Sequence, residues 1–327
     1  VIDAAAPEHT IHVAFACDAN YVMPLAVAMC SAAANCRRDR RLVFHVFQNG
    51  IGEADRAKIE RSLTHTGFPE LHVNWLEAPV DRLAGAKIVN KWLSSAALVR
   101  LLIPDLLPPA VEKVLYLDCD VVVDEDLAEL WDTDLADKSL GAVRDTIGWV
   151  SNPDGGVSNY RELGIPADTP YFNSGVLLIH VSKWRKNQTS ERLLEYLWRH
   201  QAVIRYEDQE VLNAVLYNDW IELDFRWNWQ IIWRGVRLGT HKMAWVPERA
   251  RKSIVHFITS EKPWLPGCDY DEKEYFFKYV DRTEWSGWRV PWLREIWFRS
   301  LRPLTDARNA AGRLRRRLEA RLVPAKH

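Results

Sequence analysis

Val114-Leu115-Tyr116-Leu117-Asp118-Cys119-Asp120 runs from four apolar residues straight into two carboxylates set two positions apart. On an extended chain residues i and i+2 point to the same side, so the run predicts a buried strand whose end turns both acids toward one point. Hard carboxylate oxygens suit Mg²⁺ or Mn²⁺, ions that keep positions open for phosphate oxygens, and the pair therefore points to phosphate-linked chemistry. A solvated turn or a helix cap would use the same residues, so the meaning of the pair depends on its surroundings.

Working outward, strand-like and helix-like segments alternate: Ile11–Cys17 (strand), Pro24–Asn35 (helix), Leu42–Phe47 (strand), Glu53–Thr64 (helix), Leu71–Leu76 (strand), Ser94–Leu102 (helix) and Val114–Leu117 (strand). Such alternation predicts an α/β domain with a mostly parallel central sheet and helices on both faces. Ligands in these sheets bind beyond the carboxyl ends of the strands, where Cys17-Asp18 and Asp118-Cys119-Asp120 both fall. Ser139–Val143 reads as a further strand and residues 151–156 as a loop. Val176–Val181 reads as a buried strand, with Ser182 as cap of a helix running to His200.

The chain has 327 residues, 27% charged and 48% hydrophobic, which is enough to bury a full core. Its formal net charge of −1 hides an asymmetry: from Arg289 onward eleven Arg and Lys face three acids (Glu295, Asp306, Glu319). Five scattered cysteines, with no C-x-x-C pair, indicate neither a disulfide framework nor a zinc site and fit a reducing compartment. No apolar run approaches a membrane span, and the first residues lack the order of a secretory leader, so a cytoplasmic location is expected. Ten of the 16 tryptophans lie between Trp220 and Trp297; packing is the expected use of most of them.

Three further segments could carry chemistry. Tyr171-Phe172-Asn173-Ser174-Gly175-Val176 places small polar residues immediately before a buried strand, where an amide can bond a ligand and Gly175 allows close backbone approach. Tyr206-Glu207-Asp208-Gln209-Glu210 puts acids and an amide at the start of a helix, which the helix dipole alone would also favour. Ile254-Val255-His256-Phe257, followed by Lys262-Pro263-Trp264, offers a third metal ligand and a phosphate contact, or else a core histidine and a surface lysine.

In this order, from about Ile11 to Trp264, these segments resemble glycosyltransferase family eight, which includes bacterial lipopolysaccharide galactosyl- and glucosyltransferases. The resemblance implies a GT-A type, Rossmann-like nucleotide-binding domain and a metal-dependent, retaining transfer of a hexose, galactose or glucose, from a UDP-sugar to a glycan or glycolipid in cell-surface glycan synthesis. Asp18, Asn20 and Tyr21 then match the nucleotide-contacting loop, and Arg100 a donor-binding arginine. Asp118, Asp120 and His256 match the ligands of Mn²⁺ or Mg²⁺, with Cys119 between the two acids in the donor-binding motif. Asn173, Ser174 and Asp208 match donor-sugar contacts, Gln209 the amide near the anomeric carbon, and Lys262 the lysine on the diphosphate. Asp145 is similar to an acceptor-side aspartate, and Tyr206 joins the substrate-binding set. Two departures bear on the acceptor: Thr259 stands where the family often has glycine, and Trp92 where the galactosyltransferase branch has histidine.

Two other readings compete. A haloacid-dehalogenase-like phosphohydrolase would use Asp118 as nucleophile, but more than a hundred residues precede the motif and no adjacent Asp pair follows it. A non-catalytic nucleotide-sugar-binding membrane adaptor would keep the fold without turnover. The chain is expected to divide into a catalytic domain over 1–284 and a Trp/Arg-rich segment over 285–327. In the latter, Trp292, Leu293, Ile296, Trp297 and Leu301 follow Pro291 at helical spacing with Arg294, Arg299 and Arg302 between them, and Leu314, Leu318 and Leu322 form a second stripe. Tryptophan and arginine on an amphipathic helix suit an anionic membrane surface, so peripheral association with the inner face of the membrane is expected, and nucleic acid is not expected as a partner.

Overall fold

The computed structural model describes residues 9–86, 98–153, 155–231 and 251–300. Strand β1 (Thr10–Asp18) leads into helix α1 (Val22–Asn35), β2 (Arg41–Asn49), α2 (Glu53–Thr64) and β3 (Leu71–Glu77). After β4 (Lys113–Leu117) and the short β5 (Val121–Val123) come β6 (Leu140–Trp149) and β7 (Pro170–His180). Helices α3 (Val181–Lys186), α4 (Thr189–His200) and α5 (Glu207–Leu216) precede β8 (Trp220–Glu222), β9 (Trp229–Gln230), β10 (Ile254–His256) and α6 (Lys273–Val280).

Seven strands form one sheet in the order β3-β2-β1-β4-β7-β6-β8, and β5-β10-β9 form a second, smaller one. In the large sheet every strand runs parallel to β1 except β7, which pairs antiparallel with both β4 and β6. Alternation along the strands splits the core in two. Val13, Phe15, Leu115 and Leu117 pack with α1 and α2 on one face, while Ala14, Val114, Tyr116 and Ile179 pack with α3, α4 and α5 on the other. A third cluster joins Val122 and Val255 of the small sheet to Val27 of α1 and Phe276 and Tyr279 of α6.

The expected α/β class with a mostly parallel sheet is what the structure has, and three local expectations change. Residues 171–175 do not precede the strand expected to begin at Val176; they lie inside β7, whose eleven residues start at Pro170. Because β7 is reversed, its first half lies at the carboxyl edge of β4, which delivers Asn173 and Ser174 to Asp118; the Asp118 N–H donates to Gly175 O at 2.8 Å. His180, not Ser182, caps the helix that follows β7, accepting from Lys183 N at 3.3 Å. That helix ends at Lys186, and the chain turns through Gln188 at φ +47° before α4. Of the helix expected over Ser94–Leu102, residues 94–97 lie outside the described residues, as does Trp92; Val99–Leu101 form a 3₁₀ turn.

Candidate active site

Asp118 directly follows β4 and Asp120 precedes β5, so the two acids straddle the gap between the large and small sheets. His256 ends β10, antiparallel to β5, and is paired with Val121, one residue from Asp120. This pairing brings a histidine 136 positions away beside the acids. His256 Nε2 lies 3.2 Å from Asp120 Oδ1 and 3.6 Å from Asp118 Oδ2. One donor atom from each of Asp118, Asp120 and His256 lies within 4.8 Å of the others, as one small ion requires.

The opposite oxygen of each acid is held by a cation. Asp118 Oδ1 takes Arg100 at 2.9 Å and the Tyr116 hydroxyl at 2.7 Å; Asp120 Oδ2 takes Lys262 Nζ at 2.5 Å. Lys262 also donates to the carbonyl of Phe257, whose own N–H donates to Asp120 O at 3.0 Å, so the loop after β10 is tied to the motif. Burial opposes the charge on Asp120, but Lys262 beside it pulls its carboxyl below the usual range. Its Oδ1 is buried and receives no hydrogen bond. A buried carboxylate oxygen aimed at a histidine nitrogen, with no donor of its own, fits a divalent ion with oxygen and imidazole ligands. Gly175 passes close by: a Cβ there would stand 2.2 Å from His256 Cε1 and 2.7 Å from Asp118 Oδ2, so glycine is a steric requirement.

Around this centre lies a polar wall. Arg100 is 5% exposed and bridges Asp118 to Asp208, reaching Asp208 Oδ2 at 3.1 Å while donating to Ser174 O at 3.0 Å. Burial pushes the Asp208 carboxyl up, against the pull of Arg100. The Ser174 hydroxyl donates to Asp208 at 2.9 Å, and Ser174 N donates to Gln209 Oε1 at 3.1 Å. Asp145 Oδ2, on β6, accepts from Asn173 at 2.9 Å and from Gln209 Nε2 at 3.2 Å. Asp208 and Gln209 open α5, where Glu207 adopts φ +26°. The buried Glu210 carboxylate clamps that start, accepting from Arg205 N at 2.7 Å, Tyr206 N at 3.3 Å and Ser158 N at 2.7 Å. Such over-determination is what holds a left-handed, non-glycine residue in place.

The first loop completes the rim. Asp18 caps the 3₁₀ turn Ala19–Tyr21 by accepting from Asn20 N at 2.8 Å, and Cys119 Sγ donates to Ala16 O at 3.4 Å, linking this loop to the acid motif. Tyr21 packs edge-on against Trp264, 5.7 Å between centroids, and burial, then Asp120 and Asp118, push its hydroxyl pKa up. Tyr206 is 40% exposed at the mouth of α5, beside the loop at Gly155. The fifteen candidate site residues are thus all among the described residues, gathered at one edge of the sheet; Trp92, also singled out from the sequence, is not among them. Thr259 is buried and accepts from Glu261 N at 3.2 Å. Sequence reasoning missed Tyr116, although its i, i+2 spacing to Asp118 put it on the same side, and Asn228, for which the sequence carries no signal.

A sequence profile described as glycosyl transferase family 8 matches residues 12–268. The chain belongs to glycosyl transferase family 8. It is 28% identical over 287 residues to general stress protein A of Bacillus subtilis (strain 168), covering 85% of this chain and 96% of that protein. Lipopolysaccharide 1,3-galactosyltransferase of Salmonella typhimurium is 25% identical over 282 residues, with 84% of this chain and 79% of that one covered. Among solved structures, galactosyltransferase LgtC in complex with donor and acceptor sugar analogs superposes with a TM-score of 0.70 at 28% identity, covering 86% of this chain and 98% of the other. The protein is a glycosyltransferase of GT-A fold, from a family that works with nucleotide-sugar donors and a divalent metal. The phosphohydrolase alternative finds no support in this family.

Beyond the site, the five cysteines are buried and free. Most of the described tryptophans pack as expected: Trp227 is buried, and Trp229, Trp264, Trp285 and Trp288 lie against the core clusters. Trp292 and Trp297 do not; they stand 68% and 66% exposed on the helical residues 292–300. Among the described residues no helix is long and apolar enough to cross a membrane. Leu301 and the stripe Leu314, Leu318 and Leu322 lie outside the described residues.

Proposed function

We propose that this glycosyltransferase moves galactose or glucose, with retention, from a UDP-hexose to a glycan or glycolipid acceptor of a cell-surface glycan such as lipopolysaccharide. The observation that carries the reading is the cradle of Asp118, Asp120 and His256 with Lys262 on one flank and Arg100 on the other. In this reading Asp118, Asp120 and His256 hold Mn²⁺ or Mg²⁺. The ion, when bound, neutralises charge on the departing diphosphate.

The chain's own residues do the rest. Lys262 adds a positive charge beside the leaving group, and Arg100 keeps Asp118 and Asp208 in place while matching a donor-binding role. Asp18, Asn20, Tyr21 and Cys119 border the nucleotide; Asn173, Ser174 and Asp208 face the donor sugar; Asp145 and Tyr206 border the acceptor. Gln209, a neutral amide, is a poor nucleophile. It positions the anomeric centre while the acceptor attacks from the face the leaving group vacates, and the departing phosphate takes the acceptor's proton.

The division into a catalytic domain over 1–284 and a surface-binding segment over 285–327 belongs to the same proposal. On the helical residues 292–300, Glu295 accepts from Gly267 N at 2.9 Å, Arg299 pairs with Asp269 at 3.1 Å, and the Phe298 ring lies against Gly267. Those contacts leave Trp292, Leu293, Ile296 and Trp297 facing solvent, a contiguous apolar face bordered by arginines. An anionic membrane surface would take up such a face and place the enzyme beside a lipid-linked acceptor.

A panel of UDP-sugars with Mn²⁺, read by thermal stabilisation, tests the donor reading. UDP-galactose or UDP-glucose should raise the melting temperature most, and a panel without any metal-dependent shift would refute it. A non-catalytic adaptor would shift in the same way but release no UDP.

A further inference from the structure

A line of buried amides runs from the sugar-facing wall to the back of His256. Asn173 donates from Nδ2 to Asp145 Oδ2 at 2.9 Å, and its Oδ1 accepts from Gly175 N at 3.0 Å and from Asn228 Nδ2 at 2.8 Å. Asn228, on the 3₁₀ turn Phe225–Asn228, then meets His256 Nδ1 with its Oδ1 at 2.9 Å. Asn228 is fully buried, and Asn173 and His256 are 5% and 3% exposed, so no exchange with bulk water relaxes the pattern.

The polarity of this line follows from its ends. A backbone N–H only donates, so the Asn173 atom facing Gly175 is its oxygen; an ionised carboxylate only accepts, so the atom facing Asp145 is the amide nitrogen. Asn228 must then present its NH₂ to Asn173 and its oxygen to His256. Nδ1 of His256 must carry a proton, and the neutral ring has a bare Nε2, the atom 3.2 Å from Asp120 and 3.6 Å from Asp118. Without Asn228 the neutral ring would do better the other way round, with its proton on Nε2 donated to Asp120.

We infer that Asn228 is a positioning residue that selects the Nδ1–H tautomer of His256, so that Nε2 is free to bind a divalent cation, and that Asn173 and Asp145 set Asn228 in turn. The inference rests on the reading of His256 as a metal ligand. A partner on the far nitrogen of a metal-binding imidazole fixes tautomer and ring orientation together, and its loss costs about 10- to 100-fold in metal affinity. It also joins the metal centre to Gln209, which shares Asp145 Oδ2 with Asn173.

The test uses the full chain and two readouts. Mn²⁺ binding in the presence of UDP, measured by electron paramagnetic resonance, should weaken about 10- to 100-fold in Asn228→Ala. In the metal-free protein, ¹⁵N-NMR of the His256 ring at a pH where it is neutral should show the proton on Nδ1 in the parent and a shift toward Nε2 in Asn228→Ala. Asn228→Asp keeps an acceptor opposite Nδ1, so it should retain the parent tautomer and recover much of the Mn²⁺ affinity, while melting lower because its second oxygen meets Asn173 Oδ1. Unchanged Mn²⁺ affinity in Asn228→Ala, or an unchanged ring tautomer, would overturn the inference. Asp120→Ala separates the two levels: parent-like Mn²⁺ binding there would defeat the metal reading itself, whereas its loss beside an unaffected Asn228→Ala would defeat the relay alone.

Discussion

Around Asp118 the charged side chains are inside: Arg100 and Asp208 are 5% and 4% exposed, and each has an ionic partner. On the helical residues 292–300 the apolar side chains are outside, with Leu293 at 63% and Ile296 at 58% exposed. Each region departs from the ordinary distribution of side chains in the opposite sense. Buried charges persist only when paired, so the first region is a preorganised centre; an exposed apolar face calls for cover, which is why the second is proposed as a docking surface. In the proposed reading one place fixes geometry and the other chooses location.

Substitutions can break one region without the other. In the buried centre, Lys262→Ala removes the charge beside the leaving group and strands the Asp120 carboxylate. It should lower kcat/KM by roughly 10²- to 10³-fold and weaken UDP binding as well. Gln209→Ala should lower kcat on the order of 10²-fold while leaving UDP affinity within a few-fold, because its proposed place at the anomeric carbon is off the nucleotide. Equal losses of turnover and UDP affinity would show that Gln209 has been placed wrongly.

On the exposed face the effects are smaller and of another kind. Trp292→Ser with Trp297→Ser should weaken cosedimentation with anionic vesicles by roughly tenfold or more and leave turnover on a small soluble acceptor unchanged. Parent-like vesicle binding by that variant, or none by the full chain at low salt, would remove the docking surface. A chain ending at Val290, which keeps the packed Trp285 and Trp288, should behave as the double variant does.

A histidine pair away from both regions, His45 buried and His12 partly so, gives the mildest effect. His12 on β1 and His45 on β2 bond through Nδ1 and Nε2 at 3.0 Å. Burial, aided by Arg41, lowers the His12 pKa from 6.5 to about 4; burial, aided by His12 and His72, lowers that of His45 from 6.5 to about 3. Below pH 6.5 the unfolded chain takes up protons that the folded chain refuses, so stability is greatest above that pH and declines as pH falls toward 4 and then 3. The melting temperature should therefore drop by several degrees between about pH 7 and pH 5, and less in His12→Leu with His45→Leu. An equal drop in both proteins would assign the acid sensitivity elsewhere.

Much of the site could be read from residues alone, because its chemistry lies in short runs. Asp118-Cys119-Asp120 follows an unbroken apolar strand, and Asp208 and Gln209 open a helix, so local spacing places them. What local spacing cannot carry is direction. Asn173 and Ser174 read as polar residues just ahead of a strand; inside β7 they meet Asp145, Asp208 and Gln209, and only the antiparallel pairing with β4 brings them there. Asn228 as the partner of His256 is a tertiary fact of the same type, whereas the His180 cap is local, three residues from Lys183, and is hidden by residue type alone.

In the proposed reaction Asp118, Asp120 and His256 hold a divalent ion on which hexose transfer from UDP depends. The most direct test of that dependence is UDP release from UDP-galactose and UDP-glucose by the parent with Mn²⁺, by the parent in EDTA, and by Asp120→Ala with Mn²⁺. The parent should release UDP with Mn²⁺, lose that release in EDTA and recover it on adding Mn²⁺, and Asp120→Ala should show no measurable release. Release at the parent rate in EDTA, or by Asp120→Ala, would contradict it.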